Sequence, residues 1–316
     1  MYKNKTVAVV VPAYNEELLI SQVIETIPDY VDYIVIVNDN SIDKTAEIVH
    51  SHVIKSNGRV VLLNLEMNLG VGSAIAEGYK WCKNNKIFAS AVMAGDAQMD
   101  PFDLPALLDP VVNGEVDYSK GNRLFTGEAW KKIPRTRYMG NAALSLLTKI
   151  ASGYWHIADS QTGYTVANLK VLETINLDNI YKKYGMPNDM LVKLNIFNFR
   201  VRDVPIKPVY GIGEKSGIKP ILIIPNLSFL ILKLFIYRMV QKYIIRDFHP
   251  LIFFYLLSFG LNLSGLILTI RMVYQWIELG SIPPINALAV FFSFIVGIQM
   301  LLFAMWFDMD SNKHLR

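Results

Sequence analysis

Cysteine is nearly absent: Cys82 is the single one in 316 residues. An intrachain disulfide is excluded, and a reducing compartment suits the chain. Charge is scarce too. Asp, Glu, Lys and Arg make up 18% against 52% hydrophobic residues, with a mean hydropathy of +0.29. That excludes a disordered or solvating protein and leans away from an ordinary soluble one. With 31 basic and 27 acidic side chains the net charge is only +4, too little to argue for a nucleic-acid partner. His50, His52, His156, His249 and His314 stand at no metal-ligand spacing, and no Ser-His-Asp or Cys-His pattern is readable. The opening MYKNKTVAVVVPAYNEE lacks the apolar core and cleavage site of a signal peptide and is expected to start the fold as a strand. NLGVGS, from Asn68 to Ser73, is not the G-x-G-x-x-G of a dinucleotide site. It supplies a pliant backbone entering a helix, useful near a phosphate or for tight packing.

The scarcity of charge is uneven. Residues 1–220 hold 24 basic and 23 acidic side chains and read as a water-soluble domain. Further on, Phe248–Ile270 runs for 23 residues and Leu279–Phe307 for 29 without a charge. About 20 apolar residues cross a hydrocarbon core of about 30 Å, so these runs are expected to span a membrane, at 248–272 and 284–307. Asn262, Ser264, Thr269 and Gln299 inside them are tolerable where they face the partner helix. The connector from Met272 to Pro284 holds Glu278 and no Lys or Arg. Lys215, Lys219, Lys233, Arg238, Lys242 and Arg246 precede the first span, and Lys313 and Arg316 follow the second. The positive-inside rule then places the 1–220 domain and both termini in the cytoplasm, with Arg271 snorkelling at the far interface. Within 221–247, Lys233, Arg238, Lys242 and Arg246 recur at near-helical spacing among apolar residues. An amphipathic helix lying in the headgroup region is the expected reading of 221–247; the alternative is a helix packed on the soluble domain.

Strands are expected at Thr6–Val11, Tyr33–Val37, Val60–Leu63, Ala89–Met93 and Val201–Pro205. Helical periodicity covers Glu16–Thr26, Thr45–Val53, Gly72–Asn84 and Pro105–Val112. This alternation calls for a mainly parallel sheet with helices on both faces, whose ligands bind beyond the carboxyl ends of the strands. Those ends are polar. Pro12-Ala13-Tyr14-Asn15-Glu16-Glu17 offers a rigid turn, an aromatic ring and polar atoms suited to a base. Asp39, in Asn38-Asp39-Asn40-Ser41, can accept from base or ribose donors. Asp96 and Gln98, in Ala94-Gly95-Asp96-Ala97-Gln98-Met99-Asp100, are oxygen donors of the kind Mg²⁺ or Mn²⁺ takes together with substrate phosphates. A lone aspartate after a strand is as readily an N-cap or Asx-turn, the role expected of Asp43 and Asp100. Three polar tips together point to a site. Cys82, mid-helix, is expected to be a small hydrophobe.

The set VPAYNEE, VNDNS, NLGVGSAIAEGY, MAGDAQMDP, GNR, DSQTGY and DVPIKPVYGIGEKSGI resembles family 2 glycosyltransferases of the GT-A fold, and among them the polyprenyl- and dolichyl-phosphate sugar transferases. The resemblance covers the whole 1–220 region. It implies an α/β GT-A nucleotide-sugar-binding domain with a mostly parallel central sheet, followed by interfacial helices and a two-helix transmembrane hairpin. It also implies that Pro12, Ala13, Tyr14, Asn15, Glu16, Val37, Asp39, Gly70, Gly95, Asp96 and Lys215 hold the donor. The family's metal loop reads Asp-x-Asp-x-Gln. Here Ala94 takes the first position, leaving Asp96 and Gln98 as the metal ligands. Arg123 matches an arginine near the sugar and acceptor phosphates. Arg135 and Arg137 match a basic acceptor loop, Arg137 being favoured, and Asp159 matches an aspartate facing the sugar. Gly163-Tyr164-Thr165 lacks the arginine of the usual Gly-Phe-Arg, and Lys215-Ser216 inverts the family's Ser-Lys.

The implied reaction is inverting transfer from a nucleotide sugar, of the GDP-mannose or UDP-glucose type, to a polyprenyl phosphate, assisted by Mg²⁺ or Mn²⁺. A phosphate monoester is already mostly dianionic at neutral pH and needs little help from a base. Asp159 would then orient the acceptor or a sugar hydroxyl. With a hydroxyl acceptor it would be the base, and its bland role is a structural cap. The implied partners are the nucleotide sugar, the lipid phosphate and the membrane, with homo-oligomer formation through the spanning helices open. A processive synthase would need a Gln-x-x-Arg-Trp element and more spans. Two alternatives remain: a same-fold enzyme acting on a sugar or glycolipid hydroxyl, and a non-catalytic nucleotide-binding membrane tether.

Overall fold

The computed structural model describes residues 1–124, 135–207, 209 and 220–316. The chain divides into two units, Met1–Ile236 with Leu315–Arg316, and Tyr237–His314.

In the first unit, β1 (Val7–Ala13), β2 (Tyr33–Asn38), β3 (Val60–Asn64), β4 (Ala89–Val92), β5 (Tyr118–Asn122), β6 (Thr165–Asn168) and β7 (Val201–Pro205) form one sheet, ordered β3-β2-β1-β4-β6-β5-β7. Every pairing is parallel except those of β6, which runs antiparallel to β4 and β5. The expected mostly parallel sheet is therefore present, with one reversed strand. β1 and β2 are apolar on both sides because both faces are covered. Val7, Val9, Val11, Ile34 and Ile36 enter one core layer, while Ala8, Val10, Val35 and Val37 enter the other. Helices α1 (Ile20–Thr26), α2 (Thr45–Lys55) and α4 (Leu104–Val112) supply the first layer. Helices α3 (Val71–Asn84), α6 (Leu169–Thr174) and α7 (Met186–Ile196) supply the second, and Cys82 is buried there as expected. Between α4 and α6 in the chain comes α5 (Arg135–Ser152).

Helix α8 (Pro220–Val240) continues into a π-helical turn, Gln241–Arg246. Its apolar residues divide between packed positions and an exposed set at helical spacing, with Phe229, Leu232, Ile236 and Val240 exposed. In the first unit, Leu227 and Ile231 pack with Leu144 and Ala151 of α5, and Leu234 packs with Val192 and Ile196 of α7. In the second unit, Arg238 is fully buried and Lys242 nearly so. Of the four cations expected along the 221–247 segment, only Lys233 and Arg246 are exposed. Leu227, Ile231 and Leu234 thus pack, while the exposed apolar residues leave a face free for a headgroup region.

The second unit contains α9 (Leu251–Leu279) and α10 (Pro284–Ser311). Both are long and apolar enough to cross a membrane, with mean hydropathies of 2.0 and 2.4 over their most apolar windows. Only 28% and 22% of those windows is buried, so neither is the core helix of a globular domain. They pair as an antiparallel hairpin: Gly297 lies against Asn262, and Gly265 against Ser293 and Phe294. Small residues at these crossings let the backbones approach. Helix α9 runs past the expected end at 272 to Leu279, where Gly280 closes it in the left-handed conformation at φ +67°. The connector is thus only 280–283.

Candidate active site

In the order β3-β2-β1-β4 the chain changes winding direction between β1 and β4, which opens a crevice beyond their carboxyl ends. Two sequence tips meet there. A Cβ on Gly95 would lie 3.2 Å from the Pro12 carbonyl oxygen and 3.4 Å from Glu16 Cγ, so residue 95 must be bare for the tips to touch. The β1 tip is laced to the β2 tip. Asn15, at φ +57°, donates its amide to Ser41 Oγ and accepts from the Ile42 amide on Oδ1. The Glu16 amide donates to Thr45 Oγ1 and the Glu17 amide to Asp43. These bonds replace the first turn of the expected 16–26 helix, which begins at Ile20. Asp43 and Asp100 take the local turn roles expected of them, accepting from the Thr45 and Phe102 amides.

An open cleft brings Asp96 and Gln98 together with Arg123, Thr162 and Lys207. Asp96 is half-buried, and its Oδ1 accepts from the Gln98 amide at 3.1 Å across a turn in which Ala97 has φ +58°. The bland Asx-turn role is thus also real, and it presents both side chains from one loop. Burial, then the charges of Asp96 and Asp43, push the Glu16 carboxyl up to about 7. A surplus of negative charge has therefore gathered where β1 meets β4. Among the described residues no three His, Cys, Asp or Glu side chains could hold a metal by themselves. One carboxylate and one amide oxygen fit a hard divalent cation that arrives with a diphosphate supplying the remaining ligands.

Opposite, at the end of β5, Arg123 is fastened to Asp159. Nε donates to Oδ2 at 2.8 Å, Nη2 to Oδ1 at 3.1 Å, and the backbone amide to Oδ2 at 3.1 Å. Asp159 is fully buried and Arg123 23% exposed. Burial alone would raise the Asp159 pKa, but Arg123 and Lys120 outweigh it and hold the carboxyl below its ordinary range.

The remaining expected residues fall out differently. Pro12, Ala13 and Tyr14 form the β1 tip, and the Tyr14 ring is exposed. Asp39 is buried, and its two oxygens accept from the Leu69 and Gly70 amides at 2.8 Å each. It acts first as a brace for that loop. Gly70 enters α3 at φ +94°, with the Lys182 carbonyl oxygen 2.7 Å from where its Cβ would be. Close packing thus explains this glycine without a phosphate. Val37 requires a correction: it has no exposed surface and belongs to the core with Ala8 and Val10, because the sheet is covered on both faces up to Asn38. Arg137 and Arg135 lie in the first turn of α5, with their side chains outside the described residues, as is Lys215. Sequence reasoning missed Lys120 and Asp203, which lie behind Asp159. Their signal was a charged residue inside a short strand, in YSKGN and VRDVP.

The raised Glu16 carboxyl gives a testable pH effect. A carboxyl whose folded pKa exceeds its unfolded value loses stability as pH rises from about 4.5 through about 7. Glu16→Gln is expected to stabilise the metal-free protein at pH 8 by on the order of 1–2 kcal/mol and to have no such effect at pH 4. Thermal melts across that range check it.

The fold defines a class, the GT-A type of glycosyltransferase domain. The sequence pattern of Glycosyl transferase family 2 matches residues 8–175, more than half of the chain, and the chain belongs to that family. It is 27% identical over 219 residues to the UDP-N-acetylglucosamine–dolichyl-phosphate N-acetylglucosaminyltransferase of Methanococcus voltae, covering 66% of this chain and 87% of that protein. To the polyprenol monophosphomannose synthase of Mycolicibacterium smegmatis it is 26% identical over 217 residues, covering 66% and 80%. These relatives are of the polyprenyl-phosphate type that the motifs resemble. Among solved structures, glucosyl-3-phosphoglycerate synthase from Mycobacterium tuberculosis, in complex with Mn²⁺, UDP and glucosyl-3-phosphoglycerate, superposes with a TM-score of 0.52 at 19% identity, covering 74% of this chain and 80% of that one. That likeness shows the GT-A fold. The protein is a glycosyltransferase, and the non-catalytic tether is set aside.

Proposed function

We propose that this enzyme transfers a sugar from a nucleotide sugar to a polyprenyl phosphate at the cytoplasmic face of a membrane, with inversion at the anomeric carbon. The observation that carries the reading is the cleft in which Asp96 and Gln98 meet an Arg123 held by Asp159. A buried carboxylate with a lowered pKa, bound to an arginine fork, is a poor general base. A phosphate acceptor needs none, whereas a sugar hydroxyl does. The relatives named above as acting on dolichyl phosphate and making polyprenol monophosphomannose support the acceptor class. The uncovered α9–α10 pair supports a site kept near a lipid surface.

In this reading the β1 tip, through Pro12, Tyr14 and Glu16, holds the nucleoside, with Asp39 bracing the adjoining loop. Asp96 and Gln98 hold the divalent cation, for which the Mn²⁺ of the solved neighbour is a precedent. A bound cation supplies Lewis-acid neutralisation of the departing diphosphate. Arg123 draws the acceptor phosphate toward the anomeric carbon by charge-assisted contacts, and Asp159 fixes the plane of that guanidinium. Arg137 contributes a further cation to the acceptor, and Lys215 one to the donor.

The test uses the full chain in detergent with labelled UDP- and GDP-sugars, a polyprenyl phosphate, and Mg²⁺, Mn²⁺ or EDTA. Product is expected as a sugar-phosphate lipid and is expected to vanish with EDTA. Asp96→Ala is expected to lower turnover about a hundredfold or more, and Gln98→Ala less. Transfer only to a hydroxyl acceptor, abolished by Asp159→Asn, would overturn the acceptor assignment. Turnover unaffected by EDTA and by both substitutions would overturn the metal.

A further inference from the structure

Behind the Arg123–Asp159 pair lies a second layer of charge. Lys120, on β5, is fully buried, a rare place for an ammonium unless it is paired. Its Nζ donates to the Thr162 carbonyl oxygen, on the wall of the cleft. The charged groups that face it are Asp159 from the 158–163 turn, Asp203 from β7 and Arg123 from the end of β5. Asp203 Oδ2 accepts from the Ala158 amide at 2.6 Å and from Asn122 Nδ2 at 2.9 Å. Its buried Oδ1 has no hydrogen-bond partner among the described residues. Two carboxylates are thus brought close together in a low-dielectric region, and each destabilises the other's ionised form. Lys120 is the buried cation that favours the ionised form of Asp203, and it adds to Arg123 in favouring that of Asp159. With Arg123 the four side chains sum to zero charge.

We infer that Lys120 is a positioning residue for sugar transfer: its ammonium, anchored on Thr162 and balancing Asp203, holds the 158–163 turn and its Asp159 in place, so that Arg123 faces the cleft. Were Lys120 neutral, Asp203 and Asp159 would repel each other with no cation between them, and the turn that carries Asp159 would shift. The two-pronged acceptance of Arg123 would then weaken. Burial lowers the Lys120 ammonium to about 8 despite Asp159 and Asp203, and burial raises Asp203 to about 6. The signs of activity and stability therefore diverge. Between about pH 8 and 10 the unfolded chain binds the Lys120 proton more than the folded one, so this group adds stability as pH rises. Over the same interval the proposed positioning is lost.

The inference rests on the reaction proposed above, and its test separates the two. Lys120→Met is expected to lower kcat ten- to a hundredfold with donor KM within threefold. It is also expected to remove the fall in kcat that the parent shows above about pH 8. Asp203→Asn in the Lys120→Met background is expected to restore at least half of that logarithmic loss, because the unbalanced carboxylate has gone. Amide exchange across 158–163 is read in parallel, without substrate. It is expected to rise in Lys120→Met and to return in the double variant. A parent that turns over no donor–acceptor pair sinks the proposed reaction, and the exchange data still decide the role of Lys120. Unchanged kcat in Lys120→Met, additive losses in the double variant, or unaltered exchange would overturn it. Should Lys120→Met fail to fold, Lys120→Arg serves. It is expected to move the alkaline fall upward, and an unmoved fall overturns the inference.

Discussion

Arg123→Met is expected to lower turnover at least a hundredfold while nucleotide binding at the β1 tip persists. The Nε–Nη2 edge of Arg123 is fixed on Asp159 at 2.8 and 3.1 Å, and the residue lines the cleft with Asp96 and Gln98. Removing a preorganised cationic donor from such a site costs on the order of 3 kcal/mol of transition-state stabilisation. Stability suffers as well, since Asp159 would be a fully buried carboxylate without its fork. Breaking a buried pair from one side costs about 3–5 kcal/mol, and Lys120 nearby places this case toward the lower figure. Arg123→Lys separates the effects. A lysine keeps the charge and most of the stability, yet it cannot make two parallel bonds to Asp159, so turnover is expected to stay low. Kinetics and melts of both variants check this. A kcat within fivefold of the parent in Arg123→Met would remove Arg123 from the mechanism.

The second large effect is expected in the other unit, at the Arg238–Asp308 pair. Both side chains are fully buried, with Nη1–Oδ1 at 2.7 Å and Nη2–Oδ2 at 2.9 Å. Tyr243 donates to the same carboxylate at 2.6 Å, while Lys242 donates to Asn312 at 2.7 Å. Arg238→Met leaves Asp308 buried without its fork and is expected to lower the Tm in detergent by roughly 10 °C. Arg238→Met with Asp308→Leu removes both charges and is expected to regain most of that loss. Equal melting of the single and double variants would show that the pair has no such coupling.

Legibility followed the range of the interactions. The strands β1 to β4 were readable as short continuous apolar runs, and the helices between them because their apolar residues recur at the helix period. The two spans were readable because absence of charge over more than twenty residues is itself the signal. β5 and β6 were not readable. YSKGN and TVAN are short and polar, and they are strands only because neighbours pair with them. The basic residues of 221–247 were legible only in part, for a related reason. Periodicity records that Arg238 and Lys242 share a helix face, but only distant Asp308 and Asn312 make that face an interior one. At the site, the motifs located Asp96, Gln98, Arg123 and Asp159. They were silent on the Arg123–Asp159 fork and on Lys120 beneath it.

The order of residues alone determined the fold class, the polar strand tips and the apolar end of the chain, since backbone periodicity and hydropathy are local properties that each segment carries with it. Tertiary structure alone decided that Asp159 holds an arginine, that Val37 is core, and that Arg238 of α8 and Lys242 of the turn after it are interior. Charge balance and burial depend on which distant segments come together, and no window of sequence contains both partners.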